Sequence, residues 1–253
     1  MNIIDLLYTT LSGRSDGLTV ADVRIGLGYT AVMLDNGSAG VAYTFRKETA
    51  DGCTTFHGKR PLAGRPAGEL LAHLKSSDLV EAAVGLATAN ALANVGQDGA
   101  VQGDLLEAIE LGPGDSVGMV GFFAPLIGPI KKRAKSLKIF ERNQMVHKDV
   151  LPQESMEEML PRCSVAIITS TAILNHTIER ILELAASCRE VVMLGASTPL
   201  LGELLQTTPV TCLSGVVVRR PEQILQIVSE GGGMRMFGDS VRKLNLIRSK
   251  EHG

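Results

Sequence analysis

The stretch SVGMVGFFAPLIGPIKKRAKSLKIFERN, residues 116–143, decides the fold of the second half of this chain. A short apolar run at 116–120 leads into a turn with Gly118 and Gly121, and a helix is predicted from about Leu126. A second apolar run, 137–140, is closed by Glu141, 20 residues after Gly121. Nucleotide-type ligands are commonly held by such a unit, because the turn brings backbone N–H groups to the ligand and the carboxylate accepts hydrogen bonds from ribose hydroxyls.

The glycine turn departs from the dinucleotide fingerprint, which requires G-x-G-x-x-G. Here Gly121 is followed by Phe122 and Phe123, whose rings occupy the place where a pyrophosphate would approach the backbone. Pro125 suits the first position of the helix, where its missing N–H costs nothing. Two interpretations stay open. The turn holds a nucleotide-like ligand, with classical NAD binding less favoured, or its glycines serve only the packing of helix against strand.

Composition restricts the class of protein. The chain has 253 residues, 45% apolar and 21% charged, which is typical of a globular protein of one or two domains. Its net charge of −2 gives no electrostatic indication of nucleic-acid binding. No apolar run reaches the roughly 18–20 residues that span a bilayer, and the N-terminus lacks the basic start of a secretory signal. We therefore expect neither nucleic acid nor membrane as a partner; a homodimer is the commonest assembly.

The four cysteines, Cys53, Cys163, Cys188 and Cys212, are scattered and form no C-x-x-C pair. Such spacing does not predict a disulfide framework, so a reducing cytoplasm is the expected location. Cys53 and His57 are the only cysteine and histidine at close spacing. Because two side chains do not complete a metal site, they are weak candidates for metal ligands.

The first part of the chain predicts an α+β domain. Residues 23–45 contain two extended runs around Asp35-Asn36-Gly37, the chemistry of a tight hairpin. Gly26 and Gly28 interrupt the first run and indicate a bulge or a close approach by another segment. Helical spacing follows from about 67 to 93, and its second helix is rich in small residues that allow close packing on a sheet. A boundary near Gly112-Pro113-Gly114 gives domains 1–110 and 111–253.

From residue 115 short apolar runs alternate with helical segments. The predicted strands lie at 116–120, 137–140, 165–169, 191–194 and 215–218. Short apolar strands separated by helices indicate a parallel sheet covered on both faces. We therefore predict a doubly wound α/β domain. Its tail, residues 231–250, is predicted to form a glycine turn and a last amphipathic helix.

Ligands of open α/β sheets bind outside the carboxyl ends of the strands. The candidate ligand-binding residues at these ends are Gly121, Phe122, Glu141, Asn143, Thr169, Ser170, Thr171, Asn175, Gly195, Ser197, Thr198 and Pro199. Three polar runs on one rim favour a polar ligand site, although Ser170, Ser197 and Thr198 also suit helix N-caps. The chain contains no catalytic motif and no recognisable nucleophile–base pair, so the catalytic residues stay unknown.

The motifs VGMVGFFAPL, FERN, IITSTAILNHTIERIL and VVMLGASTPL, behind a small α+β domain, resemble the bacterial and archaeal family described as "Putative heavy-metal chelation". The resemblance covers essentially the whole chain. It implies an enolase N-terminal-like fold packed on a Rossmann-like fold, with a ligand site in the cleft between them. On this chain the implied cleft adds Gly118 and Pro125 to the residues at the strand ends, and Asn90 and Asn94 from the first domain. Ordinary helix-surface amides are the other interpretation of these two asparagines.

Three functions follow as expectations. The first is a cytoplasmic small-molecule binding protein that holds a heavy metal or a metal complex in an interdomain cleft; mostly neutral oxygen ligands suit a hard or already chelated ion. The second is an enzyme with a nucleotide-like cofactor, of the S-adenosylmethionine or NAD type, bound at the glycine turn and Glu141. The third is a non-catalytic scaffold subunit.

Overall fold

The computed structural model describes residues 2–45, 54–96, 99–142 and 149–249. Its N-terminal part contains a three-stranded antiparallel sheet in the order β1-β2-β3. The strands are β1 (Val20–Ile25), β2 (Tyr29–Leu34) and β3 (Ala39–Tyr43). The helices of this part are α1 (Ile3–Ser15), α2 (Ala67–Leu71) and α3 (Leu79–Ala93). The α+β class predicted for this part is confirmed.

The predicted hairpin at Asp35-Asn36-Gly37 joins β2 to β3. Gly37 has a φ of +83°, and its N–H donates to the Leu34 carbonyl at 3.0 Å. The prediction of one run before this hairpin was wrong, because Gly26 and Gly28 lie in a turn that divides it into β1 and β2. The expected close approach does occur there: a Cβ on Gly26 would lie 2.2 Å from the carbonyl oxygen of Val228.

Helix α3 lies directly on β3 because both surfaces carry small side chains. A Cβ on Gly40 would lie 2.2 Å from the carbonyl oxygen of Ala87 and from the N atom of Ala91. The helix begins at Asp78, whose carboxylate accepts from the N–H of Val80 at 2.9 Å. Every residue from 82 to 93 is buried, so α3 forms the centre of the N-terminal part.

The second part is built on an eight-stranded sheet in the order β4-β11-β10-β9-β8-β5-β6-β7. The six strands β7-β6-β5-β8-β9-β10 are parallel, which is the doubly wound order with its reversal between β5 and β8. The strands are β4 (Val101–Gln102), β5 (Ser116–Val120), β6 (Ser136–Phe140), β7 (Val150–Leu151), β8 (Val165–Thr169), β9 (Glu190–Leu194), β10 (Cys212–Val218) and β11 (Val241–Ile247). Strand β4 precedes the predicted boundary after residue 110 and pairs with β11; the boundary itself stays a prediction.

The prediction of a last amphipathic helix in the tail was wrong. Residues Val241–Ile247 form β11, which pairs antiparallel with β10 along its whole length, from Cys212–Ile247 to Val218–Val241. The segment forms a strand because the outer edge of β10 would otherwise have a row of backbone N–H and C=O groups without hydrogen-bond partners.

Helices cover both faces of the large sheet and one of them connects the two parts. They are α4 (Leu105–Ala108), α5 (Ala124–Arg133), α6 (Met156–Met159), α7 (Ile178–Leu184), α8 (Gly202–Thr207), α9 (Pro221–Ser229) and α10 (Met234–Phe237). Ile224 and Val228 of α9 share a buried cluster with Ala31 and Val41 of the small sheet. The two parts therefore meet across an apolar interface. Among the helices of the described ranges, none has the length and apolarity needed to cross a bilayer.

Candidate functional site

A cavity of about 390 Å³ opens at the carboxyl ends of β5, β6 and β8. This is the point where the strand order reverses, the usual ligand position in doubly wound sheets. Tyr43 and Phe45, at the end of β3, line the same cavity from the N-terminal part. We call it the interdomain cavity, because both parts of the chain form its walls.

Aromatic rings form one wall of the interdomain cavity. Tyr43, Phe45, Phe122, Phe123 and Phe140 all line it. The whole chain has six phenylalanines, three tyrosines and no tryptophan, so five of its nine large aromatic side chains meet at one place. The rings of Tyr43 and Phe45 pack edge to face, with centroids 5.0 Å apart. Such a wall suits a flat or apolar portion of a ligand.

Gly121 sets the position of the two adjacent phenylalanines. Its φ of +96° is one that other residues rarely adopt, and its N–H donates to the Phe140 carbonyl at 2.9 Å. A Cβ at this position would lie 2.9 Å from the Cβ of Thr169. Glycine therefore lets the chain cross tightly from β5 over β8. Helix α5 then begins at Ala124 with no side-chain cap and no acidic residue in its first turn.

The mouth of the cavity carries an acidic and a basic side chain in sequence. Glu141 directly follows β6, and one of its carboxylate oxygens accepts from the N–H of Arg142 at 2.8 Å. The Nε of Arg142 donates to the Oε1 of Gln153 at 3.0 Å. Glu141 thus lies where a ribose-binding carboxylate was predicted, and the next residue in the chain carries the opposite charge.

Hydroxyl and amide groups form the wall beyond β8. The hydroxyls of Thr169 and Thr171 are 2.9 Å apart. The Oδ1 of Asn175 accepts from the hydroxyl of Thr177 at 2.7 Å and from its N–H at 3.3 Å. The next residue, His176, has a φ of +56°, and its Nε2 lies 3.2 Å from the Ser76 carbonyl of the N-terminal part.

The structure brings six of the predicted residues to the interdomain cavity: Gly121, Phe122, Glu141, Thr169, Thr171 and Asn175. Gly118 does not line the cavity. A Cβ at this position would lie 2.6 Å from the side chain of Leu160, so the close packing of a helix against β5 requires a glycine there. Pro125 is exposed in the first turn of α5 and does not line the cavity. Asn143 lies outside the described residues.

A second group of predicted residues does not line the cavity: Ser170, Gly195, Ser197, Thr198, Pro199 and Asn94. Three of them, Ser197, Thr198 and Asn94, form hydrogen bonds between the two parts. The hydroxyl of Ser197 accepts from the N–H of Tyr43 at 2.8 Å. Asn94 donates to the carbonyls of Thr198 and Val216 at 3.1 and 3.0 Å and accepts from the N–H of Leu200 at 2.7 Å. Ser197, Thr198 and Asn94 therefore join the two parts, and the N-terminal part covers the segment that follows β9.

The remaining candidates have structural partners or lie in solvent. The Nδ2 of Asn90 donates to the Val41 carbonyl at 2.8 Å inside the N-terminal part. The proposed capping role of Ser170 and Thr198 has no hydrogen bond to support it, because their hydroxyl oxygens are buried without a partner among the described residues. His57 is exposed, and Cys53 lies outside the described residues.

The described residues do not fit a bare heavy-metal ion. Within residues 2–45, 54–96, 99–142 and 149–249, no group of three or more His, Cys, Asp or Glu side chains could hold one. Burial raises the pKa of Cys188 to about 11 and of Cys212 to about 12, and it also raises the pKa of Cys163. These thiols are therefore protonated at neutral pH, and only thiolates bind metals well. Among the described residues that line the cavity there is one carboxylate, and there is no thiol or imidazole.

Sequence reasoning missed Tyr43, Phe45, Phe140, Gln153 and Thr177 of the cavity, and it placed Phe123 and Arg142 at strand ends without selecting them as binding residues. Arg142, Phe123 and Phe140 were next to predicted residues in sequence, so proximity was the available signal. Phe122 was predicted as a ligand-binding residue, whereas Phe123 was considered only as an obstacle to a pyrophosphate, although aromatic rings can themselves bind a ligand. Nothing in the sequence places Tyr43 and Phe45 near β5, because that contact depends on how the two parts pack.

The chain is similar to a described family over most of its length. Matches to the description "Putative heavy-metal chelation" cover residues 8–93 and 104–247. An uncharacterized protein of Methanocaldococcus jannaschii is 23% identical over 245 residues, 93% of each chain.

Two solved structures share the fold of the whole chain. A protein of unknown function from Pyrococcus horikoshii superposes with a TM-score of 0.86 at 22% identity, over 98% of this chain and 100% of that one. A second, from Desulfitobacterium hafniense, gives a TM-score of 0.80 at 24% identity, with the same coverage. At these identities the likeness shows the fold alone.

Proposed function

Since this chain belongs to the family described as "Putative heavy-metal chelation", we propose that it binds a small organic molecule, free or as a metal complex, in the interdomain cavity. The observation that carries this proposal is the convergence of five of the nine aromatic side chains on one cavity where the strand order reverses. Rings that line a cavity bury apolar ligand surface, while a few polar groups orient the ligand. The ligand proposed here therefore carries at least one flat ring.

The family description and the side chains of the cavity agree if the metal arrives already chelated. The described residues contain no cluster of three metal-binding side chains, so they do not supply the coordination of a bare ion. The rings, hydroxyls and amides of the cavity instead suit the organic part of a complex. In this proposal the protein recognises the chelator, and the metal is cargo.

An enzyme with a nucleotide-like cofactor is the second candidate. Glu141 favours it, because this carboxylate lines the cavity at the end of the second strand of a doubly wound sheet. A non-catalytic scaffold subunit is the third candidate, and it would leave the cavity without a ligand. The scattered cysteines and the net charge of −2 support a cytoplasmic protein without nucleic-acid or membrane partners.

A thermal-shift screen tests these candidates together. The panel contains 2-naphthoate, the zinc complex of 8-hydroxyquinoline, adenosine, S-adenosylmethionine, NAD and zinc alone. A ligand at 100 times its Kd stabilises by about 2.7 kcal/mol, which raises the Tm by about 5–10 °C for a chain of this size. We expect 2-naphthoate and the zinc complex of 8-hydroxyquinoline to raise the Tm.

Variants connect the shift to the cavity. Phe45→Ala and Phe123→Ala remove rings from the cavity and should abolish the shift. Tyr8→Ala removes a half-buried ring outside it and should preserve the shift. If zinc added without a chelator raises the Tm, the proposal is overturned. A shift by adenosine-containing compounds alone, lost in Glu141→Ala, would favour the second candidate, and no shift at all would favour the scaffold.

A further inference from the structure

Two side-chain amides line the interdomain cavity from different elements. Asn175 precedes α7, and Gln153 belongs to a short 3-10 helix at 153–155. Gln153 and Thr177, the hydrogen-bond partner of Asn175, also line a neighbouring groove together. The two amides therefore approach the cavity from the same side, and their orientation decides which ligand groups they recognise.

The hydrogen bonds of Asn175 determine which end of its amide is available. Its Oδ1 accepts from the backbone N–H and the hydroxyl of Thr177, at 3.3 and 2.7 Å. A backbone N–H is only a donor, so the atom facing it must be the oxygen. The Nδ2 group is the end that remains. Within the described part of the chain it has no hydrogen-bond partner.

The same argument applies to Gln153. Its Oε1 accepts from the Nε of Arg142 at 3.0 Å, and a guanidinium has no acceptor. The Nε2 group of Gln153 is therefore the available end, and among the residues described it too has no partner. Both amides consequently offer N–H donors.

From this orientation we infer that the ligand of the interdomain cavity is an aromatic carboxylate, with its ring against the phenylalanines and its carboxylate oxygens accepting from Asn175 and Gln153. The inference rests on the proposed function, because it names the polar end of the same ligand. Arg142 lies beside Gln153 and Glu141 beside Arg142, so the cavity carries one charge of each sign and does not exclude an anion. A nucleoside would instead use its ribose hydroxyls at Glu141.

Isosteric substitutions test the inference without disturbing the local structure. Asn175→Asp and Gln153→Glu keep the oxygen that accepts from Thr177 or Arg142, and they replace only the donating nitrogen by an oxygen. The matched control is Gln206→Glu, which introduces the same charge on the exposed surface of α8 outside the cavity. The probes are 2-naphthoate and its neutral relative 2-naphthylmethanol, with Kd measured by calorimetric or NMR titration.

We expect each cavity variant to raise the Kd for 2-naphthoate about tenfold or more, because a charge-assisted hydrogen bond is replaced by repulsion between two carboxylates. Binding of 2-naphthylmethanol should change much less, and Gln206→Glu should leave both probes unaffected. Equal Kd values for 2-naphthoate in the wild type and both cavity variants would overturn the carboxylate inference while leaving ring binding intact. Failure of both naphthyl probes to bind the wild type would instead overturn the proposed function.

Discussion

Asn94 is expected to be the most important polar side chain for holding the two parts of the chain together. It ends α3 in the N-terminal part and is only 2% exposed, and its side chain makes three hydrogen bonds, all to backbone groups of the other part. Replacing it in Asn94→Ala removes the partner of two carbonyls and one N–H in a place that water does not reach. An unsatisfied buried group costs about 1–3 kcal/mol, so three such groups would cost about 3–9 kcal/mol. Because each carbonyl oxygen can accept a second hydrogen bond, we expect the lower part of this range, about 3–5 kcal/mol.

The measurement is urea unfolding followed by circular dichroism, with the free energy of unfolding and its urea dependence fitted for each variant. In a thermal scan the same loss lowers the Tm by about 10 °C, since chains of this size lose about 2–4 °C per kcal/mol. Asn2→Ala is the control. It removes one exposed capping bond, to the N–H of Asp5 at 2.7 Å, and should cost about 1 kcal/mol.

Asn94→Asp separates the roles of the two ends of the amide. The carboxylate keeps an acceptor for the N–H of Leu200 but places an oxygen opposite the carbonyls of Thr198 and Val216. We expect it to be at least as destabilising as Asn94→Ala. If the free energy of unfolding of both variants falls no more than that of Asn2→Ala, the three hydrogen bonds do not hold the interface and the reasoning is refuted.

Three further predictions concern single sites. Gly121→Ala should lower the free energy of unfolding by about 2–4 kcal/mol, because Gly121 has a positive φ and a Cβ there would be too close to Thr169. The control is Gly13→Ala, at an exposed position of α1 with open space around it, which should raise the free energy of unfolding by up to about 1 kcal/mol. Thermal unfolding measures both. Hydrogen bonding, above all from the N–H of Gly112, lowers the pKa of Asp115. The wild type should therefore be more stable than Asp115→Asn above about pH 4, and this advantage should disappear as the pH falls. Measuring the free energy of unfolding of both proteins across pH tests this. A difference in stability that does not change with pH would contradict the prediction. Cys212, whose pKa burial raises to about 12, should resist iodoacetamide at pH 8 until urea unfolds the chain, as peptide mass spectrometry would detect.

The architecture was predictable where local patterns agree with it. Short apolar runs between helices predicted the parallel strands, and Asn36-Gly37 predicted the hairpin. The tail was not, because Val241 and Leu244 in VRKLNLI have a spacing that also fits an amphipathic helix, and only the free edge of β10 makes the segment a strand. The split of the first extended run had a local signal in Gly26 and Gly28, which predicted a bulge or a close approach by another segment. The close approach occurs, but the division into two strands was not predicted.

The site was predictable only in part, for a physical reason. The rule that ligands bind at carboxyl ends of strands selects a whole edge of the sheet, and it brought Glu141, Thr169 and Asn175 to the cavity. The same rule also selected Ser197 and Thr198, which the N-terminal part covers. Which section of the edge is covered depends on packing between elements distant in sequence, and no local pattern encodes it.

One consequence follows from the way the sheet edge is divided between a docked section at β9 and an open section at β5, β6 and β8. Substitutions in the open section change which ligand can bind, and they do not weaken the contact between the two parts of the chain. Substitutions in the docked section do the opposite. Such a scaffold can diversify its choice of guest while its assembly is inherited unchanged, so we expect relatives to differ most around the rings and amides and least around Asn94.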